Sequence, residues 1–140
     1  MSAEPCFVDT NILVYALAAD DARRSPVAQK LIQELMFDGS LRTSTQVLQE
    51  LYVTLTRKVR TKMEPRLALG YLERLASWPV FSADFEAVRE AVELSLTSQL
   101  SLWDALVIVA AARSGAKKLY SEDMQNGFHV MGLTVVNPFL

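Results

Sequence analysis

At 140 residues the chain has the length of one ordinary domain, and its 51% hydrophobic content supplies enough apolar surface for a true core. The formal charge of -2 argues against holding nucleic acid on a broadly basic surface, unless the acid is gathered at a site where divalent cations invert the local charge. Five Gly and five Pro are scattered without forming a linker, and no repeat or low-complexity tract interrupts the chain, so residues 1–140 read as a single domain. The only cysteine, Cys6, excludes an intramolecular disulfide, and Met1-Ser2-Ala3-Glu4-Pro5 lacks the charged and apolar regions of a secretory signal. A reducing cytoplasm is the expected compartment. The most apolar run, Ala105 to Ala112, falls far short of the roughly 20 residues that span a bilayer, so no membrane helix is expected.

In chain order, Cys6-Phe7-Val8 is a short apolar strand, followed by Asp9-Thr10-Asn11, each able to cap a helix. Ile12 to Leu17 then fits either a buried helix start or a continued strand. The spacing of Val27, Leu31 and Leu35 predicts a helix over Ser25 to Phe37, stopped by Asp38-Gly39. Leu41 to Ser44 reads as a second strand. Leu48, Leu51, Tyr52 and Leu55 predict a helix from Thr45 to about Arg60, and Pro65 opens another that runs to Ala76. Val80-Phe81 is a brief strand, and Phe85 to Leu96 a further helix. Leu102 to Ser114 is apolar almost all round until Gly115, as suits a helix in the middle of a fold. Lys118 to Ser121 and Leu133 to Val136 close the chain as strands, with the single His129 in a turn region after Asn126-Gly127. Short apolar strands alternating with helices predict a mostly parallel sheet covered on both faces. Sites in such sheets lie beyond the carboxyl ends of the strands.

Most acidic residues, Glu73, Glu86, Glu90 and Glu93 among them, sit among polar neighbours and read as solvated faces. Four differ. Asp9 follows a strand, Glu50 interrupts the apolar positions of a helix, Asp104 opens the all-apolar helix, and Asp123 follows the strand ending near Tyr120. Taken singly, each has an ordinary explanation: Asp9 as a helix cap, Ser101 to Asp104 as a capping box, Glu50 as a solvated or Arg-paired acid, Glu122-Asp123 as a turn. Converging, they would repel one another and require protons, basic residues or cations, and little basic sequence lies beside them. Mg²⁺ or Mn²⁺ would resolve that conflict and leave coordination positions for phosphate.

Phe7-Val8-Asp9-Thr10-Asn11-Ile12-Leu13-Val14-Tyr15-Ala16 resembles the opening motif of PIN-domain proteins, in which an Asp, a Ser/Thr and an Asn follow the first strand. Glu50 in Val47 to Leu51, Asp104-Ala105, and Ser121-Glu122-Asp123-Met124 match the remaining motifs in order, so the resemblance covers nearly the whole chain. It implies a three-layer α/β/α sandwich in which Asp9, Glu50, Asp104 and Asp123 hold one or two Mg²⁺ or Mn²⁺ ions. Asn11 and Ser121, with Thr10 of the opening motif, would support those carboxylates, and Asp123 rather than Glu122 occupies the family's position. The implied activity is hydrolysis of RNA phosphodiesters, leaving a 5′ phosphate, without a His or Lys nucleophile. The small size resembles the VapC-type toxins, which pair with an antitoxin and form homodimers. The helices at Leu48 to Leu55 and Leu67 to Leu75 would supply such surfaces, though core packing is their commoner use.

Arg57, Lys58, Arg60, Lys62 and Arg66 form a basic stretch able to track phosphates, or alternatively a solvated helix end. Other enzyme classes fit less well. A haloacid-dehalogenase-like phosphatase would carry a second Asp where Asn11 stands, and a nucleotide-binding fold would need glycines after the first strand. The competing reading from another class is a catalytically weak PIN-like module that binds RNA or protein.

Overall fold

The alternation read from the sequence is realised as one six-stranded sheet with helices on both faces, in a computed structural model that describes residues 3–140. The elements are β1 (Cys6–Val8), α1 (Thr10–Ala18), α2 (Arg24–Asp38), β2 (Leu41–Ser44) and α3 (Thr45–Val53), which runs into a π-helical turn at Thr54–Lys58. They continue with α4 (Pro65–Leu75), β3 (Val80–Phe81), α5 (Phe85–Thr97), α6 (Leu102–Arg113), β4 (Lys118–Tyr120), β5 (His129–Val130) and β6 (Leu133–Val136). The strand order is β3-β2-β1-β4-β6-β5, parallel throughout except for the antiparallel β5–β6 pair. The central strands must be apolar on both sides to lie between helical layers, and all three residues of β1 are buried. No helix among the described residues is long and apolar enough to cross a membrane.

Ile12 to Leu17, open between helix and strand on sequence grounds, lies in α1 because the Asp9 carboxylate caps the chain directly after β1. In α2 the buried face is rotated from the expected one: Ala28, Ile32 and Leu35 point inward, whereas Val27 is exposed and Leu31 half-buried. α2 packs chiefly on α1, and small Ala28 permits that approach. Gly39 ends the helix as expected, at φ 72°, with its N–H bonded to the carbonyls of Leu35 and Met36.

The helix expected to continue to about Arg60 changes character after Val53. Val59 N–H bonds the Thr54 carbonyl at 3.1 Å, a five-residue spacing, and Met63 N–H takes the Leu55 carbonyl at 2.8 Å. This wider turn brings Val59 into the interior and returns the chain toward α4. His129, expected in a turn, belongs instead to the two-residue strand β5. Met131 and Gly132, both at positive φ, join β5 to β6 as a two-residue hairpin.

α6 is the central helix that its all-round apolarity predicts, with Ala105 and Val107 to Ala111 buried. α5 lies against it through small residues, Ala87 and Ala91 meeting Ala105 and Val109. Ile108→Ala should therefore destabilise the domain by about 2–5 kcal/mol in urea unfolding, by lost burial plus the cavity left behind. Leu96→Ala, on the outer face of α5 at 78% exposure, should change stability by less than about 0.5 kcal/mol.

Candidate active site

The parallel register sets the ends of β1 and β4 side by side: Val8 pairs with Tyr120, so Asp9 and Ser121 emerge together at the carboxyl edge of the sheet. Asp9 is buried, at 5% exposure. Its Oδ1 accepts the Thr10 N–H at 2.8 Å, capping α1, and its Oδ2 accepts the Ser121 hydroxyl at 2.9 Å. Ser121 Oγ in turn accepts the Asp123 N–H at 3.2 Å, which turns the segment after β4 back toward Asp9. Asn11 fastens that segment from the other side, its Nδ2 donating to Asp123 Oδ2 at 2.9 Å and its Oδ1 accepting the Glu122 N–H at 3.2 Å.

Glu50 reaches the same place from α3. Thr10 Oγ1 donates to its Oε2 at 3.3 Å, and Gln46 Nε2 donates to its Oε1 at 2.8 Å. Gln46 Nε2 also reaches the Trp103 carbonyl at 3.3 Å, tying α3 to the start of α6. There Ser101 Oγ accepts the Asp104 N–H at 3.1 Å, the capping expected of that pair, and the Asp104 side chain stays half-buried near the other acids. For Asp9, capping a helix and joining the acid cluster are one placement.

The electrostatics show that the four carboxylates share one neighbourhood. Burial pushes the Asp9 carboxyl up to about 6, against the bonds from Ser121 and Thr10, and the charges of Asp123 and Glu50 raise it further. Burial likewise raises Asp104, with Asp123 and Glu50 again adding repulsion. Among the described residues none of the four forms an ion pair with Lys or Arg. Nor do any three His, Cys, Asp or Glu side chains close around one point as a ready-made cage. Neutral donors therefore hold these acids in place while leaving their charge unneutralised. A hard oxygen-donor set of this kind fits Mg²⁺ or Mn²⁺, ions that keep much of their own water.

Glu122, adjacent to Asp123, points elsewhere. Its carboxylate accepts the Tyr15 hydroxyl at 2.7 Å and the Arg24 Nε, and Arg24 also pairs with Asp21 at 3.2 Å. Burial alone would raise the Glu122 carboxyl, but the bonds from Arg24 and Tyr15 outweigh it and hold it below the ordinary range. The Arg24 guanidinium lies over the Tyr15 ring at 5.6 Å and the Phe139 ring at 5.7 Å. From the sequence alone Tyr15, Gln46 and Arg24 receive no role: Tyr15 lies within the opening motif and Gln46 one helical turn before Glu50, whereas Arg24 carries no motif signal and meets Glu122 only through the tertiary structure. Arg57, Lys58 and Arg60 are all exposed, and Lys58 borders a cleft that also contains Glu50.

Two clefts flank the cluster. One of about 500 Å³ is lined by Gln49, Glu50, Val53, Thr54, Lys58 and Trp103. Another of about 340 Å³ includes Leu100, Asp104, Asp123 and Phe128 in its walls. A more enclosed apolar hollow of about 210 Å³ between α1, α2 and α4 contains none of the four acids and is separate from this chemistry.

Fold and site together define an α/β/α domain with an acidic centre at the carboxyl edge of a parallel sheet. The chain belongs to the PIN domain family, whose model matches residues 6–129. Among solved structures it is similar to the crystal structure of Mycobacterium tuberculosis VapC20, a sarcin–ricin loop cleaving toxin, at 24% identity and a TM-score of 0.67. That alignment covers 84% of this chain and 89% of the other. It is also similar to a toxin–antitoxin complex from Klebsiella pneumoniae, at 17% identity and a TM-score of 0.70, over 95% of this chain and 97% of the other. These likenesses establish the fold. No curated protein matches the chain.

The raised Asp9 carboxyl has a consequence for stability. Between the ordinary value of 3.8 and about 6 the native state binds more protons than the unfolded state, so the contribution of Asp9 falls as pH rises through that window. In EDTA, the unfolding free energy of the parent relative to Asp9→Asn should drop by roughly 2 kcal/mol from about pH 4 to about pH 7. A difference that stays flat across that range would contradict the electrostatic account of Asp9.

Proposed function

We propose that this chain is a metal-dependent endoribonuclease and the toxin of a VapBC-type toxin–antitoxin pair, acting in the cytoplasm. The observation that carries the catalytic reading is the gathering of Asp9, Glu50, Asp104 and Asp123 at one sheet edge, held by neutral donors and paired with no cation of the protein. Membership of the PIN domain family supports it. The similar mycobacterial protein is a toxin that cleaves the sarcin–ricin loop, and the similar Klebsiella structure is a toxin–antitoxin complex; both lend support to RNA and an antitoxin as partners here.

In this reading Asp9, Asp104 and Asp123, with Glu50, hold one or two Mg²⁺ or Mn²⁺ ions directly or through water. Such an ion, when bound, supplies Lewis-acid stabilisation of phosphoryl oxygens and lowers the pKa of water. Ser121 keeps Asp9 oriented, Asn11 keeps Asp123 oriented, and Thr10 and Gln46 fix the two oxygens of Glu50. Preset carboxylates need no rearrangement as charge develops on the phosphate. The net reaction adds water across a phosphodiester, breaking the P–O3′ bond and leaving a 5′ phosphate and a 3′ hydroxyl. No imidazole takes part: His129 faces solvent on β5, its Nδ1 3.2 Å from Thr134 Oγ1. Leu67 and Leu69 on α4, both exposed, are candidates for surface covered by an antitoxin or by a second copy in a homodimer.

Cleavage of labelled, structured RNA with Mg²⁺ or Mn²⁺ tests the proposal. Asp9→Asn and Asp104→Asn should each lower the rate at least about 100-fold while remaining folded, and EDTA should abolish cleavage. RNA left intact by antitoxin-free protein across a broad pool would favour the catalytically weak binding module instead.

A further inference from the structure

The acid cluster leaves Trp103 unexplained. It is the second residue of α6, directly before Asp104, and 64% of its surface is exposed, whereas its neighbour Leu102 packs against the α5 cluster. A lone exposed apolar residue is ordinary, but this one is built into the edge of the site. Its carbonyl is held by the same Gln46 that holds Glu50, so the indole is carried on a fixed backbone beside two of the four acids. It lines the cleft of about 500 Å³ together with Glu50 and Lys58, a volume within the range of about 300–1,000 Å³ usual for small organic ligands. Lys58 stands at the end of the π turn and, among the described residues, makes no ion pair.

A wide cleft that offers an aromatic face, an uncommitted ammonium and a border shared with a phosphodiester-cutting centre matches the chemistry of an unpaired nucleotide. Bases in single strands are bound by stacking on aromatic side chains, with cations tracking the backbone. We propose that this cleft is a nucleobase subsite in which Trp103 stacks an unpaired base of single-stranded RNA next to the scissile phosphate and Lys58 meets a neighbouring phosphate. The position of the base relative to the cut rests on the nuclease reading; the stacking itself does not.

Binding of a labelled single-stranded oligoribonucleotide, measured by anisotropy in EDTA at low salt, tests the subsite apart from cleavage. Trp103→Ala should weaken binding about 5- to 150-fold, and Trp103→Phe should restore most of the loss. On the same backbone bearing consecutive abasic sites, the parent and Trp103→Ala should bind equally, since no base remains to stack. Lys58→Gln should weaken binding and reduce the slope of log affinity against log salt by about 0.7. The subsite is overturned if the parent shows no binding, if Trp103→Ala binds intact RNA as the parent does, or if its loss is equally large on abasic RNA. It is also overturned if Trp103→Ala converts a dimer to monomer in sedimentation with RNA affinity unchanged, which would make Trp103 a protein contact. Base-dependent binding through Trp103 by a chain that cuts no RNA would remove the nuclease reading and keep the subsite.

Discussion

Everything at the carboxyl edge of this sheet depends on one buried carboxylate. Asp9 ends the central strand, and both its oxygens are occupied, one by the first N–H of α1 and the other by the hydroxyl of Ser121 beyond β4. The pairing of β1 with β4 must therefore be right to the residue. A one-residue slip would turn Ser121 to the other face and leave a desolvated acid with one partner fewer. Two neighbouring strands, a helix start and the segment carrying Asp123 are thus fixed by the needs of a single side chain.

The manner of satisfaction matters as much as the satisfaction. Glu122 and Asp123 are adjacent acids in the same segment, yet Glu122 is neutralised by Arg24 and Tyr15, whereas Asp123 receives only the neutral amide of Asn11. The first arrangement quenches a charge; the second orients a charge and leaves it to be used. Asp9, Glu50 and Asp123 all receive side-chain bonds of the second kind, from Ser121, Thr10, Gln46 and Asn11. The raised carboxyls of Asp9 and Asp104 are the cost of that choice, and a cation drawn to the cluster would reverse it. The Arg24 anchor also lies over Tyr15 and Phe139, so the end of the chain braces the segment that presents Asp123.

The sheet, the helices and the convergence of the four acids are legible because each leaves a periodic or positional signal: apolar runs of strand length, helical spacing, an acid directly after a strand. What is not legible lacks such signals. The π turn at Thr54–Lys58 differs from an α-helix in the spacing of its backbone bonds, such as that of Val59 N–H to the Thr54 carbonyl, and the apolar spacing up to Leu55 is the same for both. β5 is two residues long and exists through pairing with β6, across a hairpin whose first turn residue is Met131 rather than the usual Asn or Gly. The inward face of α2 departs from the expected one because small Ala28 and polar Ser25 are among its buried residues, which apolarity alone does not reveal. Whether Ile12 to Leu17 continues a strand or begins a helix is decided by the Asp9 cap, a choice that the apolar run does not express.

The start of α6 shows how one short segment can serve core, site and surface together. Successive helical residues are about 100° apart around the axis, so five in a row look in different directions. Ser101 closes the open N–H of Asp104, Leu102 packs toward α5, Trp103 faces the cleft beside Glu50, Asp104 faces the acids, and Ala105 is buried against the Ala87 and Ala91 of α5. The apolar remainder of α6 is fixed in the interior, and that rigidity is transmitted to its first turn, where a displacement of one residue would put the indole where the carboxylate stands. The precision of the acidic centre is therefore inherited from core packing of α6, as that of Asp9 is inherited from the register of β1 and β4.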